Sequence, residues 1–253
     1  MSKTVFITGA SSGIGYACAE RFAQNGYRLI LNARRKDRIE KLAADLEKTY
    51  GVESFPLVFD VRDREQVFEK IASLPAPWQE IDVLVNNAGL ALGMSEIQDG
   101  DPDDWDQMID TNVKGLLYVT KAVVPLMKER GKGHIFNIGS IAAKETYPRG
   151  NVYCGTKHAV DSLTKGLRID LLPYGIKVSL INPGATQTEF SDVRFKGDKE
   201  KSEKVYDGYK PLSGDDIAQC IYFCAALPEH VNVNDMLIMP AAQATATLFD
   251  KKA

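Results

Sequence analysis

The sequence predicts an α/β fold, a parallel sheet with helices on both faces, and three observations carry that expectation. Short apolar runs alternate with longer amphipathic stretches from near the N-terminus almost to the end, which is the pattern of βαβ crossovers. A glycine-rich turn, Thr8-Gly9-Ala10-Ser11-Ser12-Gly13-Ile14-Gly15, joins the first apolar run to the first amphipathic one. No linker, composition shift or internal repeat divides the 253 residues, so a single domain over 1–253 is expected at a length that fits one large domain.

The elements follow in order. Residues 5–8 form an apolar run that stops at the glycine turn, and 13–24 read as a helix opened by that turn. A second strand at 28–33 leads into an amphipathic helix at 36–49. Strands at 54–59 and 83–86 flank a helix at 64–73. One long helix is expected over 105–129, bent or interrupted near Pro125 because proline lacks the N–H that the helix needs. Strand 134–138, helix 153–172, strand 177–181, helix 214–226 and a short strand at 236–239 close the series.

The polar stretch 189–211, rich in Lys, Asp and Glu, breaks the regular alternation. Its plain reading is a solvated pair of short helices. Its position after a strand's carboxyl end also makes it a candidate lid over a ligand crevice.

Composition narrows the function. Hydrophobic residues make up 44% and charged residues 26%, as in a soluble protein with a sizeable core. A net charge of −3 offers no footprint for nucleic acid or anionic membrane. No apolar run approaches the ~18 residues of a membrane span, and the N-terminus meets its glycine turn too soon for a signal peptide. A cytoplasmic protein with a small-molecule substrate is expected. Cys18, Cys154, Cys220 and Cys224 contain no Cys-x-x-Cys pair and no metal-ligand spacing with the three histidines, so no metal site is expected. Cys220 and Cys224, four apart, read as small core residues on one helix face.

The strongest chemical signal is Ser140, just past an apolar strand, followed by Tyr153-Cys154-Gly155-Thr156-Lys157. A tyrosine and a lysine four apart lie on one helix face, and a nearby cation lowers a phenol's pKa. That arrangement suits proton transfer to a carbonyl oxygen. The spacing alone is weak, since this composition yields about one such pair by chance. Tyr206 and Lys210 repeat it in a polar stretch without a serine at the matching place.

The glycine turn gives the pair its context. Gly9, Gly13 and Gly15, with Ser11, Ser12 and Ile14, sit between a strand and a helix, where backbone approaches a pyrophosphate at a helix N-terminus. The spacing is Gly-x-x-x-Gly-x-Gly, not the usual Gly-x-Gly-x-x-Gly. At the end of the second strand, where a carboxylate would bind ribose hydroxyls, stand Arg34 and Arg35. Guanidinium groups match a phosphate, so NADP(H) is expected over NAD(H). The alternative is that the two arginines open the charged face of the next helix.

Taken together, these segments resemble the short-chain dehydrogenase/reductase family over nearly the whole chain. The matching residues are the glycine turn, Asp60-Val61, Asn86-Asn87-Ala88-Gly89, Asn112, Ile138-Gly139-Ser140, Tyr153-x-x-x-Lys157, Asn182-Pro183-Gly184 and Thr188. The resemblance implies a Rossmann-type doubly wound sheet of seven parallel strands with substrate over its carboxyl edge. It implies that Asp60 and Val61 border the adenine, that Asn87, Ala88 and Gly89 pass beside the cofactor, and that Asn86 steadies the sheet. Tyr153 would be the acid/base, Lys157 would bind the nicotinamide ribose and lower the phenol's pKa, and Ser140 would hold the substrate oxygen. Asn112 would hold a water linking Lys157 to solvent, and Pro183, Gly184 and Thr188 would clasp the nicotinamide. Dimers or tetramers through the helices near 105–129 and 153–172 are implied as well.

The segments 84–93 and 188–198 further resemble the branch of NADP-dependent 3-hydroxy acid dehydrogenases, which act on serine, L-allo-threonine and malonic semialdehyde. Such substrates carry a carboxylate, for which Arg149 and Arg194 are the candidate cations; either could instead be a surface ion-pair partner. Two other classes share the motifs: reductases of uncharged ketones, sugars or lipid carbonyls, and non-enzymatic NADP(H) sensors. The intact Asn112, Ser140, Tyr153 and Lys157 set argues against a sensor. The tail 241–253 either reaches a neighbouring subunit or frays into solvent.

Overall fold

In the computed structural model, which describes residues 2–251, seven strands form one parallel sheet in the order β3-β2-β1-β4-β5-β6-β7. Met1, Lys252 and Ala253 lie outside the described residues, and with them the first residue of the N-terminal reading and the end of the tail reading. The strands are β1 (Thr4–Thr8), β2 (Arg28–Ala33), β3 (Ser54–Val58), β4 (Val83–Asn86), β5 (Gly133–Ile138), β6 (Ile176–Pro183) and β7 (Asp235–Ile238). The main helices are α1 (Gly13–Gln24), α2 (Lys36–Tyr50), α3 (Arg64–Ala72), α4 (Pro102–Ile109), α5 (Leu116–Arg130), α6 (Asn151–Leu171), α7 (Phe190–Arg194), α8 (Lys199–Lys204) and α9 (Gly214–Ala226). The Rossmann-type sheet expected from the sequence is what the chain forms.

The central strands read as unbroken apolar runs because both of their faces are covered. In β1, Val5 and Ile7 join a core with Phe22 of α1, Ile39 and Leu42 of α2, and Ile217 and Ile221 of α9. Phe6 points the other way, into a core with Val67 and Ile71 of α3 and Val119, Val123 and Met127 of α5. A one-residue slip in β1 would exchange these two sets. Cys224 lies in the first core as a small residue, while Cys220 one turn earlier is half-buried.

Strand β1 pairs with β2 on one side and β4 on the other, so the strand order reverses there. The crevice at such a switch point opens over the carboxyl ends of the strands. The glycine turn, the loops after β4 and β5 and the residues after β6 therefore converge on one place.

Two sequence expectations need correction. The break in the long helix is not at Pro125 but at Asp110–Gly115, a wider π-helical segment between α4 and α5. Pro125 sits inside α5 without ending it. It is exposed, as is Lys121 one turn earlier, so water can satisfy the carbonyl that proline leaves unpaired. The helical run also begins earlier than 105, with Pro102 in the first turn and Asp101 accepting a hydrogen bond from the Asp103 amide at 3.0 Å.

Over its described part the tail is held by hydrogen bonds to its own chain. Gln243 is buried and accepts a hydrogen bond from the Ala185 amide at 2.8 Å. Asp250 donates its amide to Ala242 at 2.8 Å, and Ala246 donates to Glu145 at 2.8 Å. The tail thus folds back beside the crevice of its own chain.

Candidate active site

The crevice has a volume of about 840 Å³ and runs from the glycine turn past Tyr153 to the tail. Its floor is set by close backbone approach. A Cβ on Gly15 would lie 2.4 Å from the Gly9 carbonyl oxygen and 2.5 Å from Asn87 Nδ2. A Cβ on Gly9, at φ +66°, would lie 2.9 Å from Asn87 Nδ2 and 3.0 Å from Ala88 Cα. Asn87 locks this contact, donating from Nδ2 to the Thr8 carbonyl at 2.9 Å and from its backbone amide to Thr8 Oγ1 at 3.0 Å. Across the crevice, Thr188 stands against Gly13. Pro183, the last residue of β6, and Gly184 line the wall, and the Gly184 amide donates a hydrogen bond to the Ile238 carbonyl at 2.7 Å.

Asp60 and Val61 border the same crevice, as does Ile14. Arg62, which sequence reasoning missed, clamps Asp60 through Nε at 3.0 Å and NH2 at 2.7 Å. Burial pushes the Asp60 carboxyl up, but its bonds to Arg62 and the charge of Arg34 more than offset this and hold it below the ordinary range. Arg34 lies 3.7 Å from Asp60. Arg35 turns inward: Nε and NH2 reach Ser11 Oγ at 3.2 and 2.8 Å, NH2 reaches Ser12 Oγ at 3.1 Å, and NH1 reaches Glu189 at 2.9 Å. Arg38 takes the other Glu189 oxygen at 2.7 Å.

Beyond the nucleotide end, Ser140, Tyr153, Lys157 and Asn112 come together around the end of β5 and the loop after β4. The Ser140 amide donates to Asn182 Oδ1 at 3.0 Å, which fixes the serine at the strand exit. Lys157 donates to the Ile138 carbonyl at 2.8 Å. A Cβ on Gly89 would lie 3.2 Å from Asn112 Oδ1 and 3.6 Å from Lys157 Nζ, so these two groups share one neighbourhood. Asn112 sits in the π-helical segment, a frequent feature of functional sites. Its side chain bridges the Leu90 amide and carbonyl, each at 2.8 Å, and Thr156 Oγ1 at 3.0 Å. The loop over the crevice is thereby pinned to α6.

The electrostatics depart from the simple expectation. Burial of Tyr153 raises its phenol, and the neighbouring Tyr147 adds to this; Ser140 and the charge of Arg194 pull it down, but less. Lys157, 5.9 Å from the ring centre, is not what lowers it. Lys157 is itself buried, and desolvation pushes its ammonium down to about 8. No carboxylate pairs with it among the described residues. The tyrosine is a neutral phenol at neutral pH, next to a lysine poised near its titration point.

Arg194 is the cation that reaches this pair. Its guanidinium lies 5.6 Å from the Tyr153 ring centre and donates to Tyr147 Oη at 3.0 Å. Its other terminal nitrogen, NH2, is shielded from water yet has no hydrogen-bond partner. Arg149, also on the crevice wall, is exposed. Phe190 packs edge-on against Tyr153 at 5.6 Å. Tyr147, in the loop six residues before Tyr153 and ahead of α6, and Phe190, beside Glu189, were legible only as neighbours of motif residues. Cys154 has its thiol raised by burial, so it stays protonated. Tyr206, half of the decoy pair, lies beyond α8 and its hydroxyl donates to the Thr186 carbonyl at 2.9 Å, anchoring the segment over the crevice.

A nucleotide-binding floor beside a half-buried serine and a buried tyrosine–lysine pair defines an oxidoreductase of the dinucleotide-dependent type. The short chain dehydrogenase family model matches residues 3–199, and the chain belongs to that family. An NADP-dependent 3-hydroxy acid dehydrogenase of Escherichia coli strain K12 is 45% identical over 245 residues, 96% of this chain and 97% of that protein. A serine 3-dehydrogenase of Rhizobium radiobacter is 43% identical over 247 residues, covering 97% of each. The solved closed form of a serine dehydrogenase complexed with NADP+ superposes with a TM-score of 0.92 at 43% identity, over 99% of this chain and 100% of that one.

Proposed function

We propose that the protein is an NADP-dependent dehydrogenase of small 3-hydroxy acids, working as one dinucleotide-binding domain with residues 189–211 as its substrate lid. The observation that carries the substrate class is the guanidinium of Arg194, held beside Tyr153 with a donor unmet. A substrate carboxylate would supply the missing acceptor and place its 3-hydroxyl or carbonyl toward the phenol. The relatives named as acting on 3-hydroxy acids and serine support the same reading.

The residues fit an NADP(H) molecule. The glycine turn leaves no room for side chains between Gly9, Gly15 and Asn87, and two arginines replace the expected carboxylate after β2. Gly9, Ser11, Ser12, Gly13, Ile14 and Gly15 would hold the pyrophosphate, and Arg34 and Arg35 the 2′-phosphate. Asp60 and Val61 would flank the adenine; Asn87, Ala88, Gly89, Pro183, Gly184 and Thr188 would enclose the nicotinamide half. NADP(H), when bound, supplies or accepts the hydride at the substrate carbon.

The chain's own residues handle the proton. Tyr153, a neutral phenol, gives its proton to the carbonyl oxygen in the reductive direction and is left as phenolate. In the oxidative direction it first passes its proton to the neutral amine of Lys157, and the resulting phenolate takes the alcohol proton. The Ser140 hydroxyl donates a hydrogen bond to the same oxygen and so favours the charge that develops there. Lys157, poised near pH 8, binds the nicotinamide ribose and exchanges a proton with the site. Asn112 holds the Leu90 loop against α6.

A panel of L-serine, L-allo-threonine and 3-hydroxypropionate against uncharged alcohols, followed by NADP+ reduction, tests this reading. Turnover confined to the carboxylates is expected; preference for uncharged alcohols would move the protein to the ketone or sugar reductases.

We further propose a cytoplasmic homo-oligomer. Among the described residues no helix is long and apolar enough to cross a membrane. Ile169 at the end of α6 and Leu172 just beyond it are 73% and 75% exposed, an apolar patch that a second copy would cover. Light scattering should read a dimer or tetramer; a monomer at micromolar concentration would contradict it.

A further inference from the structure

Both arginines expected to meet the cofactor's phosphate already face carboxylates. Arg34 lies 3.7 Å from Asp60, and Arg35 is engaged on every side: Nε and NH2 to Ser11 and Ser12, NH1 to Glu189. Arg38, one turn into α2, completes the arrangement by taking the second Glu189 oxygen at 2.7 Å. A single carboxylate thus bridges two guanidinium groups, one bond to each, at the rim of the nucleotide crevice. Glu189 is also the residue that starts the lid, directly before α7.

We propose that Glu189 is a built-in competitor for the cofactor's 2′-phosphate, its carboxylate occupying the anion position between Arg35 and Arg38. This inference rests on the NADP reading above. A 2′-phosphate carries about −1.5 to −2 charges at neutral pH, and two anions cannot share these guanidinium groups without repulsion. The nucleotide therefore displaces Glu189, and the near end of the lid is released from the rim. The turn that follows stays held: the Gly93 amide donates to the Arg194 carbonyl at 3.0 Å, and Lys196 pairs with Asp104 at 2.9 Å. A nucleotide without the 2′-phosphate leaves the Glu189 bridge in place. Glu189 thereby weakens the affinity for the phosphorylated cofactor and ties lid freedom to its arrival.

Isothermal calorimetry at fixed ionic strength separates the claims, with adenosine 2′,5′-bisphosphate and 5′-ADP as probes on the wild type and Glu189→Gln. The glutamate side chain is 43% exposed, so the variant should fold. With the carboxylate gone, Glu189→Gln should bind the bisphosphate more tightly than 5′-ADP. Equal affinities in both the variant and the wild type would sink the NADP reading itself, whereas equality in the wild type alone, relieved in the variant, would support the competitor. Removing the carboxylate should tighten the bisphosphate by roughly three- to tenfold, the size of an exposed charge effect, and leave 5′-ADP unchanged. A Glu189→Gln variant that binds the bisphosphate with the same or lower affinity, or tightens both probes alike, would overturn the proposal. Weaker binding in particular would show that Glu189 orients the arginines instead of competing for them.

Discussion

The floor and the roof of the crevice are held by different forces. The floor joins the glycine turn to the end of β4 through backbone contacts that a single Cβ would break, and through the Asn87 and Asn112 bridges. The roof, from Glu189 to the tail, rests on exposed ion pairs such as Glu189–Arg35 and Lys196–Asp104 and on side chains such as Tyr206 and Gln243. Buried, close-packed contacts are worth kilocalories and fix atoms in place. Exposed pairs are worth about 0–1 kcal/mol and yield readily. A rigid floor can align reacting groups, while a loosely pinned roof can admit a substrate and select it.

The largest effect should come from the floor's chemistry. Tyr153→Phe should keep NADPH binding and lose roughly 10²–10⁴ in turnover, the usual scale of positioned proton transfer, as read by calorimetry and steady-state rates. Gly15→Ala comes next: its methyl would meet the Gly9 carbonyl at 2.4 Å. About 1–3 kcal/mol of stability should be lost, together with cofactor affinity, as seen in a lowered Tm and a raised Kd.

Lys157 offers a test with a sign. Its pKa is depressed by burial from the ordinary 10.5 to about 8, so between those values the native state binds fewer protons than the unfolded chain. Stability therefore rises with pH across that window, and the cost of burying the charge is fully present below pH 8. That cost is roughly 3 kcal/mol by order of magnitude. Lys157→Met should match or exceed the wild-type Tm at pH 7 while losing activity, and its advantage should shrink as pH rises toward 10. A variant less stable at pH 7 than at pH 10, relative to wild type, would contradict the desolvation argument. The smallest effect belongs to the roof: Lys196→Met should change Tm by less than about 1 kcal/mol equivalent yet speed proteolytic cleavage within 189–211.

The same division explains what could be read from the sequence. Floor residues announce themselves because backbone approach demands glycine at Gly9, Gly13 and Gly15, and because the proposed proton transfer would demand specific side chains at Ser140, Tyr153 and Lys157. Strands buried on both faces are equally legible as apolar runs. Roof residues carry no such demand. Nothing local marks Glu189 as a partner of Arg35 and Arg38, since the pairing spans more than 150 positions. The tail's return depends on a buried Gln243 meeting Ala185 across 58 positions. The π-helical segment at Asp110–Gly115 escaped for a related reason: Pro125 is the visible helix breaker, whereas the wider turn is set by packing, with Gly115 pressed against Val61. The Tyr153 phenol is raised where the spacing alone suggests lowering, because spacing shows a cation nearby but not the depth at which both groups are buried.

The central claim is that the floor performs the chemistry and the roof chooses the substrate. Its most direct test compares kcat/KM for malonic semialdehyde and propanal in wild type and Arg194→Met. The arginine variant should lose on the order of tenfold to a hundredfold on the carboxylate substrate, the scale of a charge-assisted hydrogen bond, while propanal reduction stays within about twofold of wild type, since propanal has no carboxylate for the guanidinium to hold. Equal losses on both aldehydes would contradict the account, placing Arg194 in the chemical step and not in substrate choice.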